Sequence, residues 1–103
     1  MASGKFETSR MRVVEPSEYS TSHSITIPPA SSHLLICYGE ALTTEYMVIA
    51  SATSGGILGT NVLARGQGSA VSESGNVITV SYSSARRIHV IDILLFGTFC
   101  TVT

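Results

Sequence analysis

The side chains able to carry out proton transfer or bind a metal are few and lie far apart in the chain. The three histidines are His23, His33 and His89, and Asp92 is the only aspartate. No two histidines have a metal-ligand spacing, and no acidic cluster beside Asp92 completes a shell of oxygen ligands. We therefore expect no catalytic residue, no cofactor and no metal, and we expect each histidine to be satisfied by a backbone group or a neighbouring side chain.

Asp92 is unusual because it stands between Ile91 and Ile93 in the most apolar segment of the chain. A buried carboxylate without a partner is costly, so this side chain needs a cation or a hydrogen-bond donor. We expect a structural ion pair between Asp92 and Arg87, within one chain or across a subunit interface. The sequence leaves other donors open, namely a backbone N–H, Arg12 and Arg86.

The two cysteines, Cys37 and Cys100, lack the spacing of a metal site and stand among apolar or β-branched residues. We expect two buried thiols, and a disulfide that fixes the C-terminal segment is the alternative. No serine lies in a G-x-S-x-G motif, and the glycines at 66 and 68 lack the rest of a dinucleotide-binding fingerprint. The sequence therefore gives no reason to assign an enzyme.

The composition limits the class of protein. The chain of 103 residues has 13% charged and 44% hydrophobic residues and a net charge of −1. This length suits one domain, the hydrophobic content is too high for disorder, and the charge predicts no nucleic-acid partner. The longest apolar runs are far shorter than the roughly 20 residues of a membrane span. The first residues lack the apolar core of a signal peptide, so we expect synthesis in a cytosol.

Strand-forming residues dominate the sequence, and no segment has the period of an amphipathic helix. We predict an all-β fold, an antiparallel β-sandwich of jelly-roll-like form with seven to nine strands. Gly59 predicts a bulge or bend in its strand, and Ser83–Arg86 predicts a hairpin turn. The predicted strands are 24–27, 33–39, 46–50, 57–64, 70–72, 76–82, 87–96 and 99–102.

The first 20 residues differ from the rest because they hold six of the thirteen charged residues. We expect residues 1–20 to form an N-terminal arm or edge strand that can attach the domain to a larger assembly. Residues 21–103 are then the β-sandwich domain.

Three predicted strands, at 33–39, 46–50 and 87–96, are apolar on both faces, whereas a sandwich core accepts one face of each strand. Exposing Ile91, Ile93 and Leu95 alone would forgo about 5–9 kcal/mol, comparable with a whole domain stability of about 5–15 kcal/mol. We therefore expect a homo-oligomer; in the alternative, the N-terminal arm folds across a central strand. The expected interface residues are Leu34, Ile36, Ile91, Ile93 and Leu95.

Two stretches of the sequence carry a family resemblance. Ser24-Ile25-Thr26-Ile27-Pro28 leads into Ser31-Ser32-His33-Leu34-Leu35-Ile36, and Gly75–Val80 precedes Ala85–Val90 and Leu94–Gly97. This pattern over residues 24–97 resembles small all-β modules of bacteriophage tail and fibre proteins. The resemblance implies a trimeric β-sandwich on a virion appendage that contacts a host surface, often a glycan. The chain lacks a shaft or heptad segment, which favours a small accessory, decoration or tail-tip subunit.

These observations predict a non-enzymatic virion structural protein that self-associates, with a trimer favoured by the resemblance. We expect other virion proteins to bind the N-terminal arm, and polar loops at 40–45, 51–56 and 65–69 to form an outward surface that is free to contact a partner. The resemblance implies that this partner is a host surface, often a glycan. One alternative is a carbohydrate-binding module, which would need exposed aromatic rings from Tyr19, Tyr38, Tyr46 or Tyr82. A small cupin-like jelly-roll enzyme is a further alternative, and it would need converging histidine and carboxylate ligands.

Overall fold

A computed structural model describes residues 4–7, 10–14, 19–39, 44–66 and 69–103. These residues form ten β-strands and no helix, which confirms the predicted all-β fold. Nine strands have four or more residues, and a two-residue strand near the C-terminus is the tenth. The strands are β1 (Gly4–Glu7), β2 (Met11–Val14), β3 (Ser20–Thr26), β4 (Ser31–Gly39), β5 (Thr44–Ala52), β6 (Leu58–Arg65), β7 (Ser69–Ser74), β8 (Val77–Arg86), β9 (Ile88–Phe96) and β10 (Thr101–Val102).

The strands form two antiparallel sheets that make a β-sandwich. The larger sheet has six strands in the order β1-β2-β9-β4-β5-β6, and the smaller has four in the order β10-β3-β8-β7. Within the larger sheet, β9-β4-β5-β6 has the spatial order of a Greek key. The chain leaves this sheet after β6, forms β7 and β8 in the smaller sheet, and returns as β9 beside β4. Connections of this kind are typical of jelly-roll folds.

The core lies between the inner faces of the two sheets and follows from the alternation of side chains along each strand. Along β4, Leu35 and Cys37 are buried, whereas their neighbours Leu34 and Ile36 are only partly buried. The smaller sheet supplies residues of β3 and β8 to the same core. The buried core residues are Ile25, Ile27, Leu35, Cys37, Tyr46, Val48, Ala50, Ala52, Ile78, Val80, Tyr82, Ile88, Val90 and Cys100.

The N-terminal segment contributes two strands to one edge of the six-stranded sheet. β2 pairs with β9, and Val14 at its end is buried. β1 pairs only with β2 and forms the outermost strand on that side. Of the predicted polar loops, residues 40–43 and 67–68 lie outside the described residues, and residues 51–52 belong to β5.

Two local predictions were wrong. The irregularity expected at Gly59 lies further along β6: Val48 pairs with Val62 and Met47 with Ala64, which leaves Leu63 as the extra residue. A bulge consists of one extra residue in one strand of a pair, and this residue need not be a glycine.

The hairpin predicted at Ser83–Arg86 is also absent. β8 continues through Arg86 and β9 begins at Ile88, but the two strands belong to different sheets. The connection from β8 in one sheet to β9 in the other therefore consists of a single residue, Arg87. Local turn chemistry did not reveal this, because the pairing partners of β8 and β9 are distant in sequence.

Gly97 makes the closest backbone packing among the described glycines. Its φ of +94° is unfavourable for other residues, and a Cβ there would lie 2.7 Å from Ser31 Cβ and 2.8 Å from the Ala30 carbonyl oxygen. The turn before β4 therefore packs directly on the residue that follows β9. Gly56 has a similar φ of +80°, but a Cβ added to Gly56 would have no atom within 4 Å.

We expect Gly97→Ala to lower the free energy of unfolding by about 2–4 kcal/mol, because it combines a strained φ with a steric overlap. Gly56→Ala should cost about 1–2 kcal/mol, since it retains only the backbone strain. Urea unfolding at one protein concentration measures both. Equal losses at the two positions would show that steric overlap with Ser31 adds nothing to the cost of Gly97→Ala.

Candidate functional site

A chain of buried polar side chains runs through one end of the core. Ser31 and His33 point inward from β4, and Asp92 points inward from β9, which pairs with β4. The Ser31 Oγ lies 2.7 Å from His33 Nε2, and His33 Nδ1 lies 2.8 Å from Asp92 Oδ1. We call these three residues the buried triad.

The triad also binds two backbone segments. The second Asp92 oxygen, Oδ2, accepts a hydrogen bond from the Cys100 N–H at 2.8 Å. At the other end, the Ser31 hydroxyl donates to the Pro28 carbonyl oxygen at 2.5 Å. The triad therefore joins the turn after β3, the centre of the six-stranded sheet and the C-terminal segment.

The directions of these bonds determine where the hydrogens lie. A serine hydroxyl has one hydrogen, and in Ser31 that hydrogen goes to Pro28. His33 Nε2 must therefore donate to the Ser31 oxygen. A further hydrogen lies between His33 Nδ1 and Asp92 Oδ1, since two bare acceptors at this distance would repel each other. Such a bond has the charge-assisted character that compensates for burying a carboxylate.

The order of contacts is that of the Ser–His–Asp arrangement in serine hydrolases, but the setting differs. In those enzymes the serine hydroxyl donates to the histidine, and the serine faces a bound substrate. Ser31 is only 2% exposed and donates to a carbonyl group. Gly97 packs against its Cβ. In this conformation the triad connects parts of the fold, and a substrate carbonyl has no approach to the Ser31 oxygen.

The structure gives Asp92 a different partner from the predicted Arg87. Asp92 pairs with His33, and its second oxygen is occupied by the Cys100 N–H. Arg87 lies in the connection between β8 and β9, outside the strand that carries Asp92. The Arg87 guanidinium lies over the Tyr19 ring, 4.8 Å from its centroid.

Sequence reasoning missed the pairing of Asp92 with His33, although a signal for it was present. His33 shares its strand face with Leu35 and Cys37, and Asp92 shares its face with Val90. Both polar side chains therefore belonged to inward-facing sets. Their meeting depends on the pairing of β4 with β9, which local sequence does not specify.

The other two histidines lie elsewhere. His23 is buried in β3, and its Nε2 donates to the Arg86 carbonyl oxygen at 2.6 Å. His89 stacks on Tyr38 across β9 and β4, with ring centroids 5.1 Å apart. The three histidines thus occupy three separate environments. Among the described residues, no three His, Cys, Asp or Glu side chains converge as metal ligands.

Both cysteines are buried and neither forms a disulfide, which confirms the prediction of two buried thiols. Burial raises the pKa of the Cys100 thiol far above its ordinary value, and the negative charge of Asp92 raises it further. The thiolate is the reactive form of cysteine. Cys100 is therefore a neutral core thiol.

The outer face of the six-stranded sheet carries apolar side chains on four neighbouring strands. Cross-strand register aligns them in two rows, which we call the apolar rows. Neither row contains a charged residue, and no strand of the smaller sheet covers this side. The first row is Met11, Ile93, Leu34 and Ile49, and the second is Val13, Ile91, Ile36 and Met47.

Four of the five predicted interface residues lie in the apolar rows, and the fifth, Leu95, lies at the end of β9. Ser32 pairs with Phe96 and His33 with Leu94, so Leu95 is an extra residue in a bulge. Leu95 is 53% exposed and Phe96 is 66% exposed. The bulge reverses the alternation after Leu94, so Phe96 points outward although simple alternation would place it with the buried Val90 and Leu94.

The outer face of the four-stranded sheet has a different character. Its central positions on β3, β8 and β7 carry mostly hydroxyl side chains, aligned across the strands. Such side chains are well solvated and give no apolar surface to cover. The aligned sets are Ser22 with Ser81 and Ala70, Ser24 with Thr79 and Ser72, and Thr26 with Val77 and Ser74.

The tyrosines are distributed between core and surface. Tyr46 and Tyr82 are buried, so neither can present a ring face to a glycan. Burial also raises the pKa of Tyr46. Tyr38 is covered on one side by His89, and Tyr19 is 54% exposed beneath Arg87. These positions weaken the aromatic platform on which a carbohydrate-binding function would depend.

No protein-family model matches the sequence, and comparison with curated proteins and with solved structures gives no significant match. Within the described residues, no helix is long and apolar enough to cross a membrane.

Replacing Asp92 tests the triad. Asp92→Ala should destabilise the fold by about 3–5 kcal/mol, because it leaves His33 and the Cys100 N–H unpaired in the core. Asp92→Asn should cost only about 1–2 kcal/mol, since its amide can donate to His33 Nδ1 and accept from Cys100. Chemical unfolding distinguishes the two variants, and an equal loss would contradict the assigned hydrogen-bond directions.

The thiols give a second prediction. At pH 8 an ordinary cysteine is partly ionised and reactive. We expect a thiol reagent to label neither Cys37 nor Cys100 in the native protein, because both are buried and the pKa of Cys100 is raised. After denaturation both should react at once. Rapid labelling of Cys100 without denaturant would show that the C-terminal segment opens readily.

Proposed function

We propose that the chain is a non-enzymatic structural protein of a virion, a tail, fibre or decoration subunit that assembles with copies of itself. The surface proposed for assembly is the outer face of the six-stranded sheet. The virion setting rests on the resemblance of residues 24–97 to phage tail and fibre modules. Contact with a host surface glycan follows from that same resemblance, and attachment to other virion proteins through residues 1–20 follows from the concentration of charge in that segment.

The observation that carries the self-association is the pair of apolar rows. They place eight apolar side chains side by side on four strands, with Leu95 and Phe96 exposed beyond one end. Single exposed apolar side chains are common, but a contiguous patch of this kind usually marks an interaction surface. Only 13% of the residues are charged, and this low charge favours association because permanent interfaces are more hydrophobic than the rest of a protein surface.

The energetics favour covering this face. Full burial of one large aliphatic side chain is worth about 1.5–3 kcal/mol relative to exposure. The residues of the rows already shield one another in part, so each gains less than this. Even about 1 kcal/mol for each of eight side chains would be comparable with the stability of a small domain.

The N-terminal segment lies beside the proposed surface. β1 and β2 form the edge of the same sheet, and Met11 and Val13 of β2 extend the apolar rows. An attachment through residues 1–20 would therefore be made next to the contact between copies.

We expect Ile93→Asp to abolish self-association, because it places a carboxylate in the middle of the first apolar row. The matched control is Thr79→Asp, which puts the same group at the centre of the hydroxyl-bearing face. Light scattering after size exclusion should show assembled wild type and Thr79→Asp, and monomeric Ile93→Asp. Wild-type protein of 10.9 kDa at all micromolar concentrations would overturn the proposal.

A further inference from the structure

We infer that the apolar rows are covered by one second copy of the chain, packed face to face across a two-fold axis, so that the basic unit is a dimer. This rests on the proposed function and specifies its partner and geometry. A trimer is favoured only by the resemblance to phage modules, whereas the two-fold arrangement follows from how this surface is distributed over the molecule.

The apolar side chains that align across neighbouring strands lie on one face of the sandwich. The six-stranded sheet carries both apolar rows, and the central positions of the opposite face carry serine and threonine. A contact in which both copies use the same patch is closed by a two-fold axis. A three-fold ring would divide this single face into two different complementary patches, one for each neighbour, whereas a two-fold contact uses the face whole.

The size of the face suits a stable dimer. Three of the strands have nine residues and β6 has eight, so these four cover about 19 by 30 Å at standard spacings. β1 and β2 add about 10 by 14 Å, for a flat projection of about 700 Å². Side chains make the accessible area larger than the projection. The whole face, which includes β1 and β6 outside the apolar rows, therefore approaches the roughly 800 Å² per partner that is typical of specific interfaces.

The contact would resemble the packing inside a β-sandwich. Two apolar sheet faces pack about 10 Å apart with interdigitated side chains. The dimer would then have four layers, with the two six-stranded sheets inside and both hydroxyl-bearing faces outside. Among the described residues such a dimer leaves no second apolar row exposed, so association through this face would stop at two copies.

A chemical cross-link between identical positions tests the axis. The middle of the six-stranded sheet lies between β9 and β4, where Leu34 is one of the nearest outward side chains. A cysteine at position 34 (Leu34→Cys) should be joined to its copy by a short bis-maleimide, giving a covalent dimer. The matched control, Thr79→Cys, lies on the opposite face and should remain uncross-linked. The native cysteines are buried and provide the background in unmodified protein.

Mass and cross-linking together separate this inference from the proposal it rests on. Light scattering should give twice 10.9 kDa for the wild type, and the Leu34→Cys product should run as a dimer. A trimeric mass would overturn the two-fold arrangement and leave self-association standing. A dimer that cross-links through Thr79→Cys and not through Leu34→Cys would overturn the assigned face. A monomer would overturn the proposed function as well, and would assign the face to a different partner.

Discussion

A strand in a two-layer sandwich can give only one of its faces to the core, because successive side chains point to opposite sides of the sheet. The three strands β9, β4 and β5 are apolar on both faces and lie side by side in one sheet. Their inner residues fill the core, and their outer residues align in two rows. The arrangement of the rest of the molecule follows from this excess of apolar strand surface.

The same constraint explains why Asp92 needs such complete compensation. Its position on β9 directs it into the core, where no water can solvate the carboxylate. His33 on the neighbouring strand and the Cys100 N–H satisfy both oxygens. Because these donors come from β4 and the C-terminal segment, satisfying Asp92 also fixes parts of the chain that are distant in sequence. The triad thus holds the turn after β3, the strands β4 and β9, and the C-terminal segment in fixed positions at one end of the core.

The sequence alone was sufficient for much of the fold, since strand positions and inward-facing sets follow from period-two alternation. Alternation fails at bulges, where one extra residue reverses it. Period-two alternation would place Phe96 with Val90 and Leu94 in the core, yet Phe96 is exposed, and the irregularity in β6 lies at Leu63. Sequence reasoning also failed for the partner of Asp92. That pairing depends on which strands are neighbours, and β4 and β9 are separated by four intervening strands in the chain.

The outward-facing residues of the two sheets differ more than stability requires. A sheet face that remains in water needs only side chains that are well solvated, and the smaller sheet has these in its serines and threonines. The larger sheet keeps isoleucine, leucine and methionine at the equivalent outward positions, although polar residues there would leave the core unchanged. A domain that acted alone would gain solubility from such residues and would lose only the packing of neighbouring side chains along the rows. This difference between the two outer faces is the ground on which we propose that another molecule covers the apolar rows.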